Sequence, residues 1–143
     1  MATAYTVIDA FTPVPVPHRV GEETAVRAEF SLSAALVIND TIDLVTIPAG
    51  HAVTDIVLFA DDLDSDGSPA VTLDVGIKGG DTDAFFAAST VAQAGGAVHP
   101  SVKTAFRDVA TSADRVVQAL VKAAPATSAT TGKLGVLIRY MAK

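Results

Sequence analysis

The sequence predicts an all-β fold: a single-domain β-sandwich, jelly-roll-like, with an extended Pro-rich N-terminal arm and at most one short helix. Three observations carry that expectation. Apolar and polar residues alternate with period two in several short stretches, as in strands with one face buried. Clusters of Gly, Pro, Asn and Asp punctuate those stretches at the spacing of sandwich turns. The chain has 143 residues, 50% of them hydrophobic, which suits one domain around one core.

Residues 1–22 form the arm and residues 23–143 the sandwich domain. In the arm, Pro13, Pro15 and Pro17 alternate with Val14, Val16 and His18. Proline fixes φ and lacks an N–H, so this run suits an extended or polyproline-like backbone and not a central strand. It fits equally an arm laid on a neighbouring molecule and a plain tail or edge strand.

From Thr24 the pattern becomes that of a half-buried strand, with Val26, Ala28, Phe30 and Leu32 on one face and Arg27, Glu29 and Ser31 on the other. Two further strands, 35–38 and 42–47, flank a turn at Asn39-Asp40-Thr41, and Pro48-Ala49-Gly50 reverses the chain. Residues 53–60 are apolar on both faces, as expected of a central strand. After a polar loop at 61–69, Val71, Leu73, Val75 and Ile77 alternate with Thr72, Asp74 and Gly76 up to Gly79-Gly80. Residues 83–93 have helical composition, with Asp81 or Thr82 as N-cap and Gly95-Gly96 as the stop; this is the one short helix expected. Residues 97–109 fit no single pattern.

Residues 115–121 fit a strand or a helical stripe, and the strand is preferred because 134–140 alternates clearly and 125–132 suits a long hairpin loop between the two. Jelly-roll and immunoglobulin-like sandwiches share this alternation, so strand order stays open.

The composition argues against several functions. Ten Lys and Arg stand against sixteen Asp and Glu, and the basic residues are scattered singly, so no phosphate-neutralising patch and no nucleic-acid partner is expected. There is no Cys, hence no disulfide, thiol nucleophile or thiolate metal site. Nothing reads as a secretion signal or as a span of about 20 apolar residues, so no membrane partner is expected. The interior should be aliphatic, with Phe11, Phe30, Phe59, Phe85, Phe86 and Phe106 as its bulkiest candidates.

Chemistry-bearing motifs are sparse, and no catalytic, cofactor-binding or metal residue is assigned. Asp62-Leu63-Asp64-Ser65-Asp66-Gly67 spaces carboxylates as calcium loops do, yet Leu73 stands where an EF-hand carries its bidentate Glu. An acidic, solvated hairpin loop is the plainer reading, with a nonstandard site completed by Asp61 or Asp74 as the alternative. His18, His51 and His99 are isolated in sequence and read as surface or turn residues. No Gly-x-Ser-x-Gly elbow occurs, Gly79-Gly80 and Gly95-Gly96 lack a phosphate-loop context, and a cross-strand acid–base pair of carboxylates such as Asp55 and Asp74 gives way to their plainer reading as solvent-facing members of the strand pattern. The reading is therefore non-enzymatic.

Residues 42–77, notably Val45-Thr46-Ile47-Pro48-Ala49-Gly50, Val53-Thr54-Asp55-Ile56-Val57-Leu58, Asp61-Asp62-Leu63-Asp64 and Leu73-Asp74-Val75-Gly76, resemble a group of small virion structural proteins of tailed bacteriophages. The resemblance covers about a quarter of the chain. It extends more loosely to Phe85-Phe86-Ala87-Ala88-Ser89-Thr90, to Gln93-Ala94-Gly95-Gly96 and to Leu137-Ile138-Arg139-Tyr140. It implies a β-sandwich made in the host cytoplasm and placed on the virion as a capsid decoration (cement) protein. Its partners would be the major capsid protein or another virion protein, and copies of itself, a trimer suiting a threefold position. A tail or fibre component and a carbohydrate-binding sandwich are the alternatives; the absence of Trp argues against the latter.

Overall fold

The computed structural model describes residues 1–143 apart from Met1, Ala10, Thr12, His18 and Val20. The described strands are β1 (Ala4–Thr6), β2 (Glu23–Ser31), β3 (Thr41–Ile47), β4 (His51–Ala60), β5 (Thr72–Ile77), β6 (Phe86–Ser89), β7 (Gly96–Val98), β8 (Arg115–Ala123) and β9 (Lys133–Ala142). Two 3-10 turns, Val91–Gln93 and Lys103–Phe106, are the helical elements.

The strands form two sheets, ordered β1-β3-β8-β5-β6 and β2-β9-β4-β7. Leaving β1 aside, the chain crosses between sheets at nearly every connection, and the two four-stranded orders are those of a jelly roll. Strand order, left open by alternation alone, is thereby decided. β1 adds to the outer edge of β3 in parallel, while the other ladders are antiparallel.

The alternation has the expected consequence in β2 and β9. Phe30 from β2 and Leu134, Val136, Ile138 and Tyr140 from β9 enter the core, while Arg27, Glu29 and Arg139 face solvent. Facing them from the other sheet are Ile42, Leu44, Ile47, Leu73, Val75, Val117, Ala119 and Val121. Strict alternation breaks where the ladders carry irregularities: between Asp43 and Val45, and between Val53 and Asp55. An extra residue on one strand lets two neighbours face the same way. Leu44 and Val45 are thus both buried. In β5 the alternation holds, with Leu73 and Val75 in the core, and Asp74 and Gly76 are buried on the other face by Ala88 and Lys122 and by the Asp81–Thr82 backbone.

Several local expectations are corrected. Residues 35–38 form no strand: the Leu36 N–H donates to Ser128 Oγ, the Val37 N–H donates to Asp40 Oδ2, and the chain turns through Asn39 at φ 68°. Side-chain acceptors have taken donors that a ladder would need. The helix expected over 83–93 is absent, because Phe86–Ser89 completes the free edge of β5 and only 91–93 coils. Its alanines signal helix, but tertiary pairing overrides that propensity. Residues 125–132 form a crossing between sheets and not a hairpin, since β8 and β9 lie in different layers. Of the six phenylalanines expected inside, Phe30, Phe85 and Phe86 are buried, whereas Phe106 and Phe11 are exposed. Phe59 lies on an outer face over Gly135, where an added Cβ would stand 2.6 Å from the ring Cζ.

Candidate interaction surfaces

The connections 32–40, 61–71 and 124–132 meet at one end of the sandwich, and the acidic loop is their organiser. Asp64 is buried (1% exposed). Its Oδ2 accepts the N–H groups of Ala70 (2.7 Å), Ala126 (3.0 Å) and Val71 (3.1 Å), and its Oδ1 accepts that of Thr127 (3.0 Å). Burial alone would raise the carboxyl pKa, but these backbone donors outweigh it and hold the group well below the ordinary carboxylate range. The neighbouring carboxylates tie the same loops. Asp62 Oδ1 accepts the Asp64 N–H, Asp66 Oδ1 the Ser68 N–H, Asp66 Oδ2 the Thr127 hydroxyl and Asp61 Oδ2 the Lys133 N–H.

Calcium-like spacing therefore serves here as a set of Asx turns around one buried anion. The solvated hairpin expected at 61–69 is corrected accordingly: the loop passes from one sheet to the other, and its central carboxylate is inside. Among the described residues no three His or acidic side chains converge as a metal-holding group.

The opposite end gathers 48–50, 78–85 and 99–114. Arg115 forms a bidentate pair with Asp108 (2.7 and 2.9 Å) and donates to the His51 carbonyl. Asp108 Oδ2 also accepts the Val53 N–H, which locks the 99–114 connection to the start of β4. His51, expected at the surface or in a turn, directly follows the 48–50 turn but is buried; its Nδ1 lies 2.9 Å from the Ala49 carbonyl oxygen, and its ring meets Tyr140 edge-on. His99 is exposed beside Asp55, and His18 lies outside the described residues.

Asp55 and Asp74 stand in different sheets, so they share no site. Asp74 instead accepts the Ala88 N–H and pairs with Lys122 (3.0 Å). The hydrogen bond from Lys122 to Asp74 and the charge of Asp74 raise the lysine pKa, against a smaller opposing effect of burial.

Among the described residues, the large exposed apolar side chains fall into three places: Phe11, Val14 and Val16 in the N-terminal segment, Val37 and Ile38 at the Asp64 end, and Phe106 and Val109 at the Arg115 end. None lies on the outer face of a strand. The N-terminal segment runs beside the open side of the sandwich. Tyr140, whose hydroxyl pKa burial raises, donates from the core to the Pro15 carbonyl. A groove of about 290 Å³ remains there, lined by Val7, Pro13, Pro15, Val26, Ala28 and Leu44 among others. Sequence reasoning missed the Asp64 hub and the Arg115–Asp108 pair, because both join segments far apart in the chain. The one available signal was an Asp at alternate positions before a glycine.

No family model and no curated protein matches the chain. Among solved structures, a chain from the capsid of Ralstonia phage GP4 shares its fold with a TM-score of 0.87 and 35% identity, over 94% of this chain and 93% of that one. A chain of the cyanophage Pam1 capsid asymmetric unit gives 0.72 at 24% identity, over 95% and 97%. One from the acidic stable capsid of Helicobacter pylori bacteriophage KHP30 gives 0.57 at 18%, over 86% and 90%. The last two show the fold alone. The chain is thus a phage structural protein of the β-sandwich class. It belongs to the family of small capsid proteins that includes the Ralstonia phage GP4 chain.

Proposed function

We propose that this protein is a capsid decoration (cement) protein that binds the outer shell, contacts the major capsid protein and stabilises the particle. The observation that carries the reading is where the exposed apolar side chains lie. They sit in the N-terminal segment and the two loop ends, not on the sheet faces, which suits contact across the borders between shell subunits. Copies meet as a closed cyclic oligomer, with a trimer suited to a threefold position. Residues 1–22 act as an arm on a neighbour, and 23–143 as the body. The net charge of −6 keeps the surface soluble and repels nucleic acid.

Quantitative mass spectrometry of purified particles tests this directly. Hundreds of copies of the chain per particle are expected. A few to some tens would move it to a tail, fibre or vertex position, and absence from the particle would overturn the reading in favour of a binding module.

Deletion of residues 1–20 is expected to weaken binding to particles stripped of the protein by at least tenfold and, because it empties the strand position beside β3, to lower the melting temperature of a body that still folds. Sedimentation with the particles reads the affinity, and circular dichroism reads the fold. Unchanged affinity would make the segment a plain tail.

A further inference from the structure

The geometry points to β1 as an exchangeable strand: in the assembled oligomer, residues 3–7 of one copy pair with β3 of a second copy. The inference rests on the assembly reading above and adds the slot through which copies join.

The slot is built from polar groups that are costly to leave empty. Asp40 is buried (1% exposed), and its Oδ1 accepts the Thr3 N–H at 2.6 Å while its Oδ2 holds the Val37 N–H. The Thr41 N–H donates to the Thr3 carbonyl, and the Val7 N–H donates to the Asp43 carbonyl, bracketing the paired residues Ala4–Thr41, Tyr5–Ile42 and Thr6–Asp43. Tyr5 packs its ring against Phe30 of the other sheet, with centroids 5.0 Å apart. An unfilled slot would strip one oxygen of a buried carboxylate and the edge of β3 of their donors and acceptors. Some copy of this strand must fill it.

Nothing in those contacts requires the strand to come from the same chain. β1 is three residues long and parallel to β3, so no tight turn ties it to its own body. Residues 7–22 separate it from β2. With Pro15 held to its own body by Tyr140, residues 8–14 span the gap, and these seven residues in extended form reach roughly 23 Å, beyond the roughly 15 Å radius of gyration of a domain this size. Prolines 13, 15 and 17 stiffen that connection as a spacer and disfavour its folding back on itself.

Phe11 supplies an independent sign. It lies in the connection with 94% of its surface exposed, and Val14 and Val16 are exposed beside it. A connection passing from one body to the next would lay these side chains on the partner. Exchange keeps every slot contact and adds that burial, which is why swapped strands assemble at low cost.

The chain has no cysteine, so two engineered ones report the pairing cleanly. In the full chain carrying Ala4→Cys and Thr41→Cys, oxidised both in concentrated solution and on particles, exchange yields a ladder of covalent multimers on non-reducing gels. Mixing the two single variants yields a linked pair at twice the chain mass. A disulfide confined within single chains, or none at all, would overturn the inference. Particle copy number is read separately, so loss of exchange with retained high copy number leaves the cement reading standing, and the reverse result leaves the strand slot standing.

Discussion

Asp64→Ala is expected to lower the melting temperature by more than about 10 °C and to free the 124–129 loop. The substitution removes an acceptor for the backbone N–H groups of Ala70, Val71, Ala126 and Thr127, and at longer range of Asp66. Those donors lie in two connections 55 or more residues apart in the chain, and buried donors without partners carry a full desolvation penalty. Asp64→Asn should be nearly as damaging, because one of its two terminal atoms becomes a donor facing donors. Thermal melts followed by circular dichroism read the first effect, and amide exchange at Ala126 and Thr127 reads the second. A shift under about 3 °C with unchanged exchange would show that the loops are held by other means.

The same residue gives the acid response a definite sign. Its folded pKa lies below the ordinary value of 3.8, so the unfolded chain takes up the proton first as pH falls. Asp64 therefore stabilises fully above the ordinary carboxyl range, and its contribution is lost as pH drops from there through the depressed folded value. The gap in melting temperature between the natural protein and Asp64→Ala should stay constant from neutrality to about pH 5 and narrow only below about pH 4.

The fold was largely legible because alternation survives wherever one sheet face is buried: β2, β5 and β9 read directly from Phe30, Leu73 and Val136 and their neighbours. What alternation cannot encode is which strand lies beside which. Residues 125–132 look like a hairpin loop because hairpins and inter-sheet crossings use the same small polar residues. The Ala-rich 83–93 stretch signals a helix locally, and only the unfilled edge of β5 makes it a strand. Candidate surfaces were less legible. Phe11 and Phe106 have the composition of core residues, and their exposure depends on three-dimensional placement. Asp64 reads as a solvated loop carboxylate until the Ala126–Thr127 segment is brought across it.

Gly76 shows the same gap at a single position, and it carries the second large effect. In sequence it is one of the polar partners in the Val71–Ile77 alternation, and any small residue would serve there. In the fold, the turn after β5 closes onto it: the Ile77 N–H donates to the Asp81 carbonyl, and a Cβ on residue 76 would lie 2.2 Å from that oxygen and 2.4 Å from the Thr82 carbonyl carbon. Both obstacles are backbone, so no rotamer change relieves them, and the turn must move away from a buried strand. Gly76→Ala is expected to cost about 3 kcal/mol, roughly 10 °C in melting temperature. Gly80→Ala in the same turn is the matched control, since its Cβ would meet Ile77 at 3.6 Å or more, ordinary van der Waals contact. That variant should stay within about 0.5 kcal/mol of the natural protein. Urea denaturation of both variants measures the difference. Equal midpoints would mean that the 77–82 turn yields freely, and that the close approach to Gly76 does not constrain the β5–β6 connection.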